Sequence, residues 1–551
     1  MAIHANSSAW ILVLQSCLVL LAGVTVRFCT KLYHVRHRFQ LMQKAGLPMP
    51  PHHPIFGHLR LVGGIMTKLP KDVHGHVLPH QIRLTLPDLG PVFYIDTWPF
   101  GPPMLVIAAS DQAYQITQVH SLPKFYALRD YMRPMTGGSD LITLEGEEWK
   151  RWRSIFKPGF KNSHLMALVP EMVNEISTFC EVLRDLARRQ RIFSMDHVAT
   201  RLTLDIIGRV VLNTRLNAQQ SENEFVTVMR DQVRWLSFGN EANLFERYHP
   251  LRPIMRRWND RKMRLYISRL LDLRFKSSGG NIQVAKQNRN NTIVDLALTT
   301  YQNEKGQGKS DTTLDTVFQG FAISQIRTFL FAGHDSTSSA ICYTFHLLST
   351  NPSARRRLIS EHDRVLGPCQ DRVSSQISAN PHLLNQLPYT LAVVKEALRL
   401  YPPASSTRSG EPSHFITDLT GRQLPTDGFL VWSNSYAIHR DPNLWPDPDR
   451  FCPERWLVEK GDRLYPQQGN FRPFEFGPRN CIGQELAMLE LKLVLVMTIR
   501  GFEVTSVYEE WDRLNPINGT KTINGDRAYQ ILSGAAHPSD GLPCRVSLVA
   551  H

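Results

Sequence analysis

The chain has 551 residues, 42% of them hydrophobic and 20% charged, which excludes a disordered, collagen-like or coiled-coil protein. At this length most apolar surface can be buried without disulfide staples. The formal charge is +14, but eight Lys or Arg and no acid fall within the first 71 residues, leaving +6 for the rest. Basic charge crowded beside an apolar segment favours a membrane surface over a nucleic-acid groove, and no signature of a nucleic-acid reader is present.

Trp10 to Val26 reads WILVLQSCLVLLAGVTV and carries no charge. As a helix it spans about 25 Å, close to a bilayer core. Arg27, Lys31, Arg36, Arg38 and Lys44 follow it. Positive residues stay cytoplasmic, so the N-terminus is expected in the lumen and the rest of the chain in the cytoplasm. A cleaved secretory signal would begin with basic residues, and none precedes Trp10. The sequon Asn6-Ser7-Ser8 would face the lumen. Residues 1–26 are therefore read as a signal anchor and residues 27–57 as a basic, proline-rich linker. Within that linker GLPMPPHHPIFG, residues 46–57, is expected to be stiff and extended. Residues 58–551 are read as one catalytic domain.

VFYIDTW and PPMLVIAAS, residues 92–98 and 102–110, predict two strands of a small sheet. Helical periodicity dominates from Trp149 to about Leu273. Lys276 to Asp315 is polar and predicts a surface connection with a short helix near Ile293–Tyr301. Phe321 to Thr350 has only Arg327 and Asp335 as charges, so it should cross the core as a long helix. Leu387–Leu400 and Gln484–Arg500 predict two more helices, the first closed by Pro402-Pro403. No internal repeat is present. The expected class is mainly α with small β-sheets (α+β), preceded by one transmembrane helix.

The eight cysteines contain no C-x-x-C pair and no C-x-x-C-H, against a zinc ribbon, a thioredoxin-type site or covalently attached haem. One cysteine stands in a defined pattern: Phe474 to Gly483 reads FEFGPRNCIG, or F-x-x-G-x-R-x-C-x-G. Gly477 and Gly483 permit a tight turn that presents Cys481. Arg479 brings positive charge, and the helix that follows directs its positive end at the sulfur, favouring thiolate. A thiolate bound to haem iron pushes electron density toward O–O cleavage.

On these residues the sequence resembles the cytochrome P450 family, microsomal haem-thiolate monooxygenases, over roughly Pro48 to Val549. The resemblance implies haem b with Cys481 as its axial metal ligand and Phe474, Arg479, Gly483, Trp149, Arg153 and Arg408 around it. It implies a structural triad of Glu396, Arg399 and Arg455, the first two one helical turn apart in VKEALRLYPP. Ala332 to Thr337, AGHDST, matches the family's oxygen-activation motif with Ser336 in place of a threonine. Gly333 would clear space for dioxygen, while Asp335 and Thr337 would deliver protons. His439 reads as a hydrogen-bonded turn histidine and not as a ligand.

Further implications concern partners. Electrons are expected from a separate NADPH–cytochrome P450 reductase, with cytochrome b5 as an auxiliary donor, docked on basic charge near Lys150, Arg151 and Cys481. The location implied is the endoplasmic reticulum membrane. Substrate contacts are expected from Leu122–Leu144 (Phe125, Tyr126, Tyr131, Met132), parts of Phe225–Arg256, the helix near Phe331, Ala404–Thr407 and Ser533–His537. GDRAYQILSGAAHPSDGLPCRVSL and FRPFEFGPRNCIGQELAMLELKLVL are similar to fungal secondary-metabolism members of the aflatoxin and sterigmatocystin type. They imply a polyketide-derived or other natural product, hydroxylated, epoxidised or desaturated. A sterol or fatty-acid hydroxylase and a reductase-independent haem-thiolate isomerase stay open at this point. A non-catalytic haem sensor would need a degenerate motif, and none is seen.

Overall fold

The computed structural model describes residues 2–236, 249–277, 292–305, 316–516 and 518–549. Its first element is one helix, Ala2–Lys44. The apolar part is long enough to cross a membrane and is not buried by the rest of the chain. The helix does not stop at the basic residues, so residues 27–44 are helical where a linker was expected. No Gly or Pro lies between Gly23 and Gly46 to break it, and Gly46, in the left-handed region (φ +73°), ends it.

The last turns of this helix belong to the main domain. Phe39 and Met42 are buried among the sheet residues Val92, Tyr94, Leu105 and Val431. The Arg36 guanidinium ion-pairs with the buried Asp96 and donates to the carbonyls of Ile55 (2.9 Å) and Trp98 (2.7 Å). Phe28 lies against Trp98, with ring centroids 4.9 Å apart. Irregular chain is confined to the proline-rich stretch after Gly46.

The two expected strands form, as Val92–Ile95 and Met104–Ile107. They join Leu430–Ser433 and Ser406–Ser409 in a four-stranded sheet. Met104–Ile107 runs parallel to Leu430–Ser433; the other pairings are antiparallel. This sheet fixes Arg408, whose backbone pairs with Val431.

Helices build the rest. The long helix runs Thr316–Thr350, five residues longer at its start than its apolar run, and packs along Met195–Leu212. Its one buried cation is accounted for. Arg327 pairs with Asp260 at 2.7 Å and donates to the carbonyls of Met135 and Pro134, both at 2.8 Å. Pro388–Leu400 and Gln484–Thr498 form as expected. In the polar connection a helix spans Ile293–Lys305, longer than expected; residues 278–291 and 306–315 lie outside the described residues. A hairpin, Gln530–Ser533 with Ala535–Pro538, returns the C-terminal segment to the long helix.

Candidate active site

Cys481 is delivered by a turn with two conformational demands. Glu475 and Gly477 both have positive φ (58° and 95°), and a side chain at Gly477 would collide with the Thr117 carbonyl. The turn closes with Cys481 N–H donating to the Phe474 carbonyl at 2.9 Å. Phe474 itself packs against the main core. The helix Gln484–Thr498 begins just after Gly483. Cys481 lies deep in the domain, yet its side chain is exposed, whereas Cys180, Cys342, Cys452 and Cys544 are enclosed.

Opposing effects act on the Cys481 thiol. Burial raises the Cys481 thiol above its ordinary value; the Gly483 N–H, Arg153 and Lys124 oppose this without overcoming it. The helix terminus and two neighbouring cations do not offset desolvation. A metal cation at the sulfur supplies the missing charge, because a coordinating thiol is deprotonated outright.

Around the sulfur the chain assembles positive charge. Arg408 is fully buried, donates from Nη1 to the Leu122 carbonyl at 3.1 Å, and leaves Nε and Nη2 without a partner among the described residues. Trp149 Nε1 is also buried and unpartnered. Lys124 is pulled down to about 7 by burial and by Arg408 and Arg479. Arg479 sits over the Trp149 ring at 4.3 Å, pairs with Glu145 at 2.8 Å and donates to the Leu144 carbonyl at 2.7 Å. Unpaired buried donors each cost about 1–3 kcal/mol, and the set Lys124, Arg408, Arg479 and Trp149 has one directly paired carboxylate, Glu145. That donor set fits the propionates of a haem whose iron meets Cys481.

Arg153 lies over the Trp149 ring at 5.3 Å and reaches the cysteine loop. Its Nη2 donates to the Asn480 side chain (2.7 Å) and carbonyl (3.0 Å), so it clamps the residue next to Cys481. Lys124 and Glu145 were not singled out from the sequence. Their only local signal is one lysine and one of several acids at the edges of the loop SLPKFYAL…LEG. Replacing Arg408 with methionine separates the two loads on this site. The haem-free chain should be as stable or more stable, since an unsatisfied buried charge is gone. Haem affinity should fall about 10- to 100-fold, the worth of charged hydrogen bonds of roughly 1.5–3 kcal/mol. Haem-transfer titration and apoprotein melting read the two signs.

The triad is assembled. Arg399 donates to both Glu396 oxygens, at 3.0 and 2.8 Å, and Arg455 Nε donates to Glu396 Oε1 at 2.9 Å. The Trp456 indole (3.0 Å) and Cys452 N–H (3.1 Å) complete the carboxylate. Arg399 also donates to the carbonyls of His439, Pro448 and Arg450. His439 is no ligand. Its Nδ1 faces the Arg399 carbonyl at 2.9 Å and its Nε2 accepts from the Arg472 N–H at 2.9 Å. Arg472 pairs with Glu475 in the Cys481 turn. A continuous chain of bonds thus runs from the triad to the cysteine loop.

On the opposite wall, the side chain that Gly333 lacks would strike Ile207 of the packed helix at 2.9 Å. The glycine therefore allows two helices to approach closely. Thr337 is buried. Its neighbours Thr328, Ser336, Ser338 and Thr344 all donate to carbonyls of their own helix, while among the described residues the Thr337 hydroxyl has no protein partner. Asp335 is buried with both oxygens engaged, Oδ1 by His537 Nε2 at 3.2 Å and Oδ2 by the Ala535 N–H. Burial raises it, but His537, His334 and the Ala535 N–H prevail and hold it below the usual carboxylate range. His537 was missed as a partner. Of the expected substrate contacts, Met132 is buried, whereas Tyr126 is 76% exposed and forms no enclosed wall.

The Cytochrome P450 family model matches residues 47–529. The chain is 40% identical to cytochrome P450 monooxygenase polC of Polytolypa hystricis, over 97% of this chain and 95% of that one. It is 35% identical to cytochrome P450 monooxygenase acrF of Aspergillus aculeatus, over 88% and 99%. The fold matches a crystal structure of another cytochrome P450 with TM-score 0.65 and 20% identity, over 86% of this chain and 99% of that chain. The chain belongs to the cytochrome P450 family and is a haem-thiolate monooxygenase.

Proposed function

We propose that this enzyme oxidises a hydrophobic natural product in a secondary-metabolic pathway, with Cys481 as axial ligand and Lys124, Trp149, Arg408 and Arg479 holding the haem propionates. The observation that supports the site assignment is a pair of buried side chains, Arg408 and Trp149, with donors unpartnered among the described residues, Trp149 lying against Arg479 of the Cys481 loop. Haem bound there supplies two-electron activation of O₂, one atom entering the substrate. The chain's own part is to hold the sulfur, neutralise the propionates, exclude water and present a hydroxyl and an acid on the distal helix. Glu396, Arg399 and Arg455 brace the cysteine loop through His439 and Arg472. The Thr337 hydroxyl, without a protein partner among the described residues, and the Asp335 carboxylate on the same helix favour oxygen activation over a reductase-independent isomerisation.

Electrons come from NADPH through a membrane-bound cytochrome P450 reductase, with cytochrome b5 as a second donor, docking on the basic surface near Lys150 and Arg151. The apolar helix anchors the enzyme in the endoplasmic reticulum, N-terminus in the lumen. The assignment to secondary metabolism is supported by the tail and cysteine-loop strings and by the fungal relatives. Optical titration of the holoenzyme with a polycyclic polyketide, a terpene, a sterol and a fatty acid tests it. A low-to-high-spin shift with the polyketide or terpene is expected; a shift with sterol or fatty acid alone overturns it and makes the enzyme a lipid hydroxylase.

Thr337→Ala should keep haem content and the substrate-induced spin shift but lower product formed per NADPH about tenfold or more, with peroxide making up the difference. Peroxide and product assays on the same samples check this.

A further inference from the structure

We propose that His537, held by Asp196, is the positioning residue that fixes Asp335 as a carboxylate turned toward the C-terminal hairpin, so that the hairpin governs when this acid is available to Thr337. The proposal rests on the reading of Asp335 and Thr337 as the proton-delivery pair. The hairpin is shaped around the carboxylate. Its turn residue Gly534 has φ +93°, and any side chain there would run into Asp335. The next residue, Ala535, gives its N–H to Oδ2. Two residues on, His537 reaches Oδ1 at 3.2 Å. One turn further along the long helix, Ser339 Oγ donates to the Ala536 carbonyl at 2.6 Å. Four features of a short loop therefore converge on one face of the long helix.

His537 faces a second acid. Its Nδ1 lies 2.6 Å from Asp196 Oδ1, in the first turn of helix Met195–Leu212. A neutral imidazole has one N–H and cannot donate to two carboxylates, whereas an imidazolium donates to both. The ring is almost fully enclosed, Asp335 nearly so, and Asp196 is 25% exposed. Burial disfavours the cation, yet the two aspartates outweigh it and raise His537 well above its ordinary value.

The other groups facing this cluster do not change that balance. His334, on the long helix, has Nε2 4.0 Å from Asp335 Oδ1 and Nδ1 2.6 Å from the Leu330 carbonyl, and burial lowers it. His74, on the segment that bonds to Gln530 of the hairpin, is lowered to about 3 by burial and by His537. Cys342, with Sγ 3.9 Å from Asp196, is raised by burial and by that aspartate. One cation thus stands between two anions among neutral neighbours. Asp335 cannot take up a proton unless His537 is displaced or deprotonated, and a ligand pressing on Ser533–His537 would do the former.

The test is pH-difference infrared spectroscopy of the ferric holoenzyme between about pH 6 and pH 8, reading the carboxylic C=O band that Asp335→Asn removes. In the unmodified enzyme no such band should be assignable to Asp335. In His537→Gln, with haem content checked by its carbon monoxide spectrum, the band should appear on the acid side, because burial then acts on Asp335 with far less opposition. A protonated Asp335 in the unmodified enzyme, or an unprotonated one in haem-replete His537→Gln, overturns the proposal. Should His537→Gln yield no holoenzyme, Asp196→Asn gives a second reading through stability. A histidine whose folded value is raised stabilises fully below its unfolded value of about 6.5, and that stability is lost as pH rises through the folded value. The pH at which the melting temperature breaks should move lower in Asp196→Asn; an unmoved break overturns the proposal. If Asp335→Asn leaves coupling intact while the infrared result holds, the acid's role in proton delivery is what fails, and the His537 hold on it stands.

Discussion

Replacing Cys481 with serine should leave a folded protein without the carbon monoxide band of thiolate-ligated haem and without measurable product. The turn that presents residue 481 is set by backbone features, the positive φ at Glu475 and Gly477 and the Cys481 N–H bond to Phe474. None of these needs the sulfur, and serine is close to isosteric. What changes is the ligand. Burial already opposes the Cys481 thiolate, and a serine hydroxyl, intrinsically far less acidic, would ionise still less under the same positive charge. Loss of the electron push from sulfur should cut turnover by at least about 10²-fold, roughly 2.7 kcal/mol of barrier. Melting temperature, the carbon monoxide difference spectrum and product formation measured together separate ligand loss from unfolding. Full activity in the serine variant would remove Cys481 from the chemistry.

Glu396→Gln should be the most damaging conservative change outside the cysteine loop. Both Glu396 oxygens are shared among Arg399, Arg455, Trp456 and the Cys452 N–H, and all three charged side chains are fully enclosed. Removing the one carboxylate leaves two guanidinium groups buried without a counter-charge, at a cost of about 3–5 kcal/mol. That is a large part of a typical folding free energy of roughly 5–15 kcal/mol. Through His439 and Arg472 the damage reaches the turn of Cys481, so haem incorporation should fall with stability. Arg357→Ala is the contrasting case. Its pair with Glu454 has side chains 54% and 43% exposed, and its loss should cost no more than about 1 kcal/mol. Denaturant melts and haem-to-protein ratios of the two variants test burial as the deciding factor; equal effects would sink the argument.

Local pattern was enough to read the cysteine loop, the Glu396–Arg399 helix, the long helix and its Asp335 and Thr337, and the two strands at the amino end. Each of these is written in residues within one turn, one strand or one helical repeat of each other, where fixed spacing translates directly into a shared face. The resemblance that follows from them placed Arg455 with Glu396 and Arg399, and the structure brings these three side chains together.

The remaining features depend on pairs far apart in the chain. Lys124 meets Arg408 and Arg479, and Asp335 meets His537 and Asp196, only because separate elements converge on one place. Lysine, histidine and aspartate are common enough that no spacing marks them beforehand. Ile207 against Gly333 and Asn480 against Arg153 are likewise contacts between elements far apart in the chain. The basic segment 27–44 looked like a linker because positive charge was taken as the end of the membrane helix. Charge sets where a helix leaves a bilayer, but it does not unwind it, and Arg36, Phe39 and Met42 find partners only on the folded sheet. The sequence by itself determined the class of chemistry and the ligand that carries it. Tertiary structure alone decided the charge balance at the site, because desolvation and its compensation depend on which groups are brought together and on how completely water is removed.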